Sequence, residues 1–296
     1  MHHLTVFGEV LFDCFPSGER VLGGAPFNVA WHLQAFGQQP LFVSRVGKDE
    51  AGKVISSAMG AWGMDTVGLQ HDALHATGQV QVSLNQGEPS YDIVDGVAYD
   101  FIDAQQLDSP PCRMLYHGSL GLRNEVSRKA LEHLKQTLTP VVFMDVNLRA
   151  PWWQREQVLE WVRQADWVKL NEEELALLQG RDRDVESHAA AFLRQYQLEG
   201  LVVTRGAKGA SLLMRDQASV EVAPVAALQV VDTVGAGDAL ASVLLLGLNL
   251  GWPMSLSLER AQHFASAVVG QRGATVDQPE FYHPFLKAWG LAENRK

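Results

Sequence analysis

Cysteine is scarce in this chain: Cys14 and Cys112 are the only two, far apart and in no Cys-x-x-Cys pair. That excludes a disulfide framework and suits incidental or buried thiols in a reducing compartment. Long apolar runs are also missing. The most apolar window, Ala239 to Leu250, is only about half of the roughly 20 residues that a membrane span needs. The first residues enter a strand at once, without the basic region and apolar core of a secretory signal. A cytoplasmic protein with no membrane partner is expected. Positive charge is in deficit: 24 Lys and Arg face 34 Asp and Glu, and the net charge is −10. No basic stripe compensates, which argues against a nucleic-acid partner. Two phosphate-binding signatures are absent as well. No Gly-x-x-x-x-Gly-Lys-Ser/Thr occurs, so a P-loop is excluded, and no Gly-x-Gly-x-x-Gly argues for a dinucleotide.

What is present is the composition of a globular protein with a large core, 47% hydrophobic and 20% charged. No composition break or repeat divides it, so one domain over 1–296 is expected. Leu4 to Phe12 reads as a buried strand with Asp13 at its end, where open α/β sheets bind ligands. Gly23-Gly24-Ala25-Pro26-Phe27-Asn28 then opens a helix that stops at Gly37, with Pro26 in the first turn. Leu41–Val46 reads as a strand and Ala51–Trp62 as a helix. Gln79–Leu84 alternates polar and apolar residues and can pair with Tyr91–Val94 across Gly87-Glu88-Pro89. Together with a hairpin near 14–22, the segment 79–94 predicts a small separate sheet.

From Met114 onward strands alternate with helices, the mark of a parallel sheet. The strands are Met114–Gly118, Val141–Asp145, Asp166–Leu170 and Leu201–Thr204, with helices over Asn124–Leu138 and Pro151–Gln164. An antiparallel end (Ala210–Met214, Ser219–Val222) and helices over Ala236–Leu250, Leu258–Val269 and Glu280–Trp289 complete the chain. The fold class is α/β, with helices on both faces.

One stretch organises the chemistry. Asp232-Thr233-Val234-Gly235-Ala236-Gly237-Asp238 follows an apolar β-type run, Leu228 to Val231, and leads into a long apolar helix. Its glycines expose backbone N–H groups at a helix N-terminus, which attracts an anion. A carboxylate there repels phosphate, but it fits a group that takes a proton from a hydroxyl attacking that phosphate. A plain first-turn acid is the simpler alternative. Asp145-Val146-Asn147-Leu148-Arg149 and Asn171-Glu172-Glu173-Glu174 each follow a strand. An Asx-turn and a helix cap explain them about as well as a ligand does. Trp152-Trp153 reads as a cap on the core.

The two glycine motifs, Gly23 to Asn28 and then Asp232 to Asp238, resemble the ribokinase-like (PfkB) family of sugar and nucleoside kinases. The resemblance runs from about Leu4 to Phe285. It implies a ribokinase-like three-layer sandwich, with a mostly parallel central sheet, helices on both faces and a small β lid. It also implies transfer of phosphate from ATP, with Mg²⁺, to a sugar hydroxyl. Asp238 would be the general base, its acidity strengthened by the helix dipole, and Gly235, Ala236 and Gly237 would form the anion hole. Asp13, Gly23, Gly24, Asn28 and Arg149 would hold the sugar. Asn171, Thr204, Gly206 and Gly209 would meet the nucleotide, Arg205 facing solvent, with adenine against Phe264 and Val268. Glu174 would place Mg²⁺ through water, and Asp232 and Asp277 would serve a monovalent cation such as K⁺. Gly-Glu-Val-Leu-Phe-Asp with Gly-Gly-Ala-Pro-x-Asn-Val-Ala looks most like bacterial fructokinases, which make fructose 6-phosphate from D-fructose. The alternatives are a 2-keto-3-deoxygluconate kinase, with Arg149 on the carboxylate, or another sugar or nucleoside kinase of the family. A non-catalytic sugar sensor is the reading from another class. A homodimer is compatible with any of them.

Overall fold

Short apolar runs bounded by turns fold here into one large sheet, as α/β patterning requires. The computed structural model describes residues 3–85, 88–107, 112–224 and 230–291. Its elements begin with β1 (Leu4–Phe7), β2 (Leu11–Cys14), β3 (Arg20–Gly23), α1 (Ala25–Ala35), β4 (Leu41–Gly47), α2 (Glu50–Ala61), β5 (Leu69–Asp72), β6 (Gly78–Asn85) and β7 (Glu88–Ile93). There follow β8 (Met114–His117), α3 (Glu125–Leu138), β9 (Val141–Asp145), α4 (Arg155–Val162), β10 (Trp167–Asn171), α5 (Glu172–Gln179), α6 (Val185–Gln195) and β11 (Gly200–Thr204). The chain closes with β12 (Ala210–Met214), β13 (Val220–Val222), α7 (Ala236–Leu250), α8 (Met254–Val268) and α9 (Pro279–Ala288).

Among the described residues the main sheet has nine strands in the order β13-β12-β11-β10-β9-β8-β1-β4-β5. It is parallel from β5 to β11, and β12 and β13 add an antiparallel edge. One core packs α1, α2, α7, α8 and α9 on one face, and a second packs α3 to α6 on the other. This is the three-layer sandwich that the resemblance implies. The order reverses at β1, between β4 and β8, the kind of position where open α/β sheets bind ligands beyond their strand ends. No helix among the described residues is long and apolar enough to cross a membrane.

The expected single strand from Leu4 to Phe12 is in fact two. Gly8 turns at φ 145°, and β2 leaves the main sheet for a separate four-stranded one, ordered β3-β2-β6-β7. Asp13 therefore lies in the small sheet, not at the end of a main-sheet strand. β2 pairs antiparallel with β3 and parallel with β6, which pairs antiparallel with β7. The small sheet foreseen from 14–22 and 79–94 is thus present, while the Gly87 part of its turn lies outside the described residues. Two elements escaped the sequence reading. β5 is a short, polar edge strand on β4. The other is α6, although Asp184 marks its start by accepting a 2.8 Å bond from Ser187 N–H.

Candidate active site

The glycine pair before α1 sets the first half of the site. Gly24 caps the helix at φ 113°, and a Cβ there would stand 2.6 Å from the Glu9 carbonyl oxygen. Only glycine fits such an approach. Pro26 packs in turn against Gly8, where a Cβ would lie 2.5 Å from the Pro26 Cγ. With α1 fixed this way, Asn28 is buried at 4% exposure, and its Nδ2 donates a 2.7 Å bond to Asp238 Oδ2. Asn28 Oδ1 is buried with no hydrogen-bond partner. It lies 3.9 Å from the point where a Gly23 Cβ would be, and Asp13 Oδ2 lies 3.8 Å from the same point. Asp13 and Asn28 thus meet beside a bare glycine, with Asp238 bonded to the Asn28 amide nitrogen and the Asn28 oxygen left as a buried, unpartnered acceptor. Burial pushes the Asp13 carboxyl up, against the pull of Arg149, which is itself exposed.

The second half is the loop into α7. Gly235 is left-handed at φ 79°, and a Cβ there would meet the Ala274 Cβ at 2.4 Å. The first turn of α7 has N–H groups without intrahelical acceptors, the arrangement that suits an anion. Asp232 braces the loop. Its Oδ1 accepts from Val234 N–H at 2.9 Å and its Oδ2 from Gly273 N–H at 3.1 Å. The β-type run expected before Asp232 is not a strand where it is described: Val230 and Val231 are exposed and irregular, and Leu228 and Gln229 lie outside the described residues. Val231 and Asp232 instead donate their N–H groups to the Val269 carbonyl.

Asp238 keeps some solvent access, yet its carboxyl is pushed up to about 6. Burial is the main cause; the Asn28 bond opposes it, Asp145 adds to it, and Lys169 and Arg149 oppose it. The dipole was expected to strengthen this acid. Desolvation outweighs the dipole here. A carboxylate of raised pKa, half held by an amide, can take a proton from a hydroxyl near neutral pH.

Behind the loop stands a pair that the sequence reading missed. Lys169 and Asp145 face one another in register on β10 and β9. Lys169 Nζ donates to Asp145 Oδ1 and Oδ2, both at 2.8 Å, and Tyr116 OH donates to Oδ2 at 3.2 Å. A lysine inside an apolar strand is the signal that could have found it, since buried charges are almost always paired. Glu174 and Asn171 form a reciprocal cap on α5. Glu174 Oε2 accepts from Asn171 N–H at 2.9 Å and Oε1 from Leu148 N–H at 3.1 Å. Burial lifts Glu174 to about 7. Glu9 was also unassigned. It is 2% exposed, accepts from Gly121 N–H at 3.1 Å, and is lifted to about 7 by burial, with Asp238 adding to the effect.

On the far side, Thr204 ends β11, and its hydroxyl reaches the Leu170 carbonyl at 3.5 Å. Gly206 and Gly209 turn at φ 54° and 90°; at Gly209 a Cβ would lie 1.9 Å from the Val222 carbonyl oxygen. Arg205 was expected in solvent. Its side chain is 17% exposed and pairs with Glu221 at 3.0 Å. Phe264 and Val268 are the clearest correction. Both are wholly buried, and Phe264 sits among the rings of His32, Phe36, Tyr282 and Phe285. Neither has a face left for adenine, because α8 turns that side into the core. A cavity of about 500 Å³ opens nearby, lined in part by Val222, Ala223, Glu259, Gln262 and His263. Asp277 is exposed and accepts from Gln278. Among the described residues, no group of three or more His, Cys, Asp or Glu side chains could hold a metal ion.

The pfkB family carbohydrate kinase model matches residues 4–280. The chain belongs to that family. It is 34% identical over 267 residues to a fructokinase of Escherichia coli, covering 82% of this chain and 83% of that one. A fructokinase of Klebsiella pneumoniae is 36% identical over 263 residues, covering 83% and 84%. Among solved structures, a fructokinase double mutant from Vibrio cholerae O395 with fructose, ADP and potassium bound superposes at TM-score 0.82. It is 26% identical, over 95% of this chain and 97% of that one. Aminoimidazole riboside kinase from Salmonella enterica, with its riboside and an ATP analogue, superposes at 0.83 with 25% identity, over 96% and 99%. This pfkB chain is an ATP-dependent sugar kinase.

Proposed function

We propose that this kinase phosphorylates D-fructose to fructose 6-phosphate, with Asp238 as the general base. The carrying observation is that Asp13 and Asn28 meet beside Gly23 while Asn28 is also bonded to Asp238, with Asn28 Oδ1 buried and unpartnered. The named fructokinase relatives support fructose in particular. The sugar hydroxyls donate to Asp13 and Asn28. Asp238 takes the proton of the attacking hydroxyl, and the N–H groups of Gly235, Ala236 and Gly237 meet the charge on the transferring phosphoryl group. Arg149, exposed but felt by Asp13, Glu9 and Asp238, closes the polar rim.

The nucleotide crosses the Asn171, Thr204 and Gly206–Gly209 region. Because Gly209 backs onto Val222, and Val222 lines the 500 Å³ cavity, adenine belongs in that cavity rather than on Phe264. The residues fit a magnesium ion carried by the nucleotide. Each Glu174 oxygen accepts one backbone N–H and keeps a lone pair that could meet water on such an ion. Bound there, the ion would neutralise phosphate charge. A monovalent cation near Asp232 would rely on backbone carbonyls; the potassium in the Vibrio structure supports that reading. The scarcity of cysteine supports a cytoplasmic setting.

A phosphoryl-transfer assay across fructose, ribose, 2-keto-3-deoxygluconate and adenosine tests the assignment. Fructose should give the highest kcat/KM and a 6-phosphate product. Preference for the keto acid would move Arg149 to the centre of recognition, and no transfer to fructose would overturn the fructose assignment.

A further inference from the structure

We propose that Lys169 is a catalytic residue of this kinase: anchored by Asp145 against Gly237, its ammonium holds an oxygen of the phosphoryl group in transit. The proposal rests on the Gly235–Asp238 loop being the anion hole. As transfer proceeds, the sugar oxygen bonds to the γ-phosphorus and its proton passes to Asp238. The bond from that phosphorus to the bridging oxygen breaks, and its electron pair leaves with ADP. Lys169 exchanges no proton and forms no covalent bond.

Three observations point the same way. An ammonium has three N–H donors. Two go to Asp145, and among the described residues no other acceptor takes the third. The ammonium also lies directly against the anion-hole backbone. A Cβ on Gly237 would stand 3.2 Å from Lys169 Nζ, so glycine at this place lets the loop sit on the charge. Finally, the site is too acidic for its purpose. Asp145, Asp238 and Glu174 all surround this lysine and keep it protonated against the cost of burial. A phosphoryl group entering between those carboxylates needs a cation, and Arg149, on the exposed rim, is less able to supply it. Charge-assisted bonds to a transferring group are worth most in such a desolvated place.

The competing account is that Lys169 only neutralises Asp145. A neutral pair separates the two accounts, since a buried ion pair can be replaced without loss of fold whereas removing one partner strands a charge. Lys169→Gln alone should lower both stability and turnover. Lys169→Gln with Asp145→Asn should recover most of the lost melting temperature but stay about 10²-fold low in kcat, with KM for sugar and ATP within about threefold of wild type. Affinity for the ADP–aluminium fluoride–sugar complex should drop by a similar factor while ADP alone binds normally. Recovery of wild-type kcat and fluoride-complex affinity in the double variant would overturn the proposal. Should the double variant fail to fold, the wild-type enzyme still decides. The Lys169 Nζ resonance should move on forming the fluoride complex and stay put with ADP alone, and an unmoved signal is fatal. Asp238→Asn, run alongside, reports separately on the base. Near-normal turnover there would undo that reading, while the fluoride complex still reads out the lysine.

Discussion

Acidifying the medium should switch this kinase off through Asp238 well above the usual carboxylate range. Burial holds that carboxyl at about 6. It is therefore about 97% ionised at pH 7.5 and only about one part in eleven ionised at pH 5. A base must be ionised to accept a proton, so Asp238 should add about a tenfold fall in kcat/KM for each pH unit below 6, beneath the limb that Glu174, lifted to about 7, contributes at higher pH. Asp238→Asn keeps the shape and can still accept the Asn28 amide bond through its carbonyl oxygen. Proton acceptance alone is lost, and kcat should fall by roughly 10²–10⁴ with ATP affinity retained. The residual rate of the variant should lose the fall below pH 6 that Asp238 causes and keep only the limb of Glu174. A coupled assay for ADP release, run from pH 4.5 to 8.5 on both proteins, gives the comparison. A wild-type profile level down to pH 4.5, or an Asn variant turning over like wild type, would refute the base assignment.

Three further outcomes follow from the same geometry. Asp13→Ala removes a charged acceptor beside Gly23; the sugar KM should rise about 10- to 100-fold, from about 1.5–3 kcal/mol of lost bonding, and ATP KM should hardly change. Equal effects on both substrates in steady-state kinetics would make Asp13 structural. Amide exchange in β6 and β7 should slow when fructose is added but not with an ATP analogue alone, and ATP hydrolysis without sugar should be a small fraction of transfer, because closure must exclude water. Exchange indifferent to the sugar would mean that the small sheet does not close over the site. Glu9 is lifted from 4.5 to about 7 by burial. The folded protein thus keeps a proton that the unfolded chain loses between those values, and stability declines by up to about 3 kcal/mol as pH rises through that window. Glu9→Gln should make that decline shallower in guanidinium unfolding at pH 5.5 and 7.5, and an unchanged slope would count against the buried carboxyl.

Sequence alone determined the architecture and the chemical poles of the site. Strand-helix alternation from Met114 onward sets a parallel sheet, because each crossover helix must cover a strand pair. Gly23-Gly24 and Gly235-Ala236-Gly237 were legible because close backbone approach and positive φ admit little else; the Glu9 carbonyl at Gly24 and Ala274 at Gly235 show what a side chain would strike. Tertiary structure decided the rest. Only the break at Gly8 moves Asp13 into the small sheet, since Gly8-Glu9 within an otherwise apolar run does not by itself say that the chain changes sheet. Only packing shows that α8 turns Phe264 and Val268 into the core, since an apolar pair four residues apart marks one helix face without saying whether core or ligand covers it. Desolvation, which depends on every neighbour in space, reverses the expected acidity of Asp238. Likewise Lys169 and Asp145, 24 residues apart along the chain, become one group only because adjacent parallel strands place them in register.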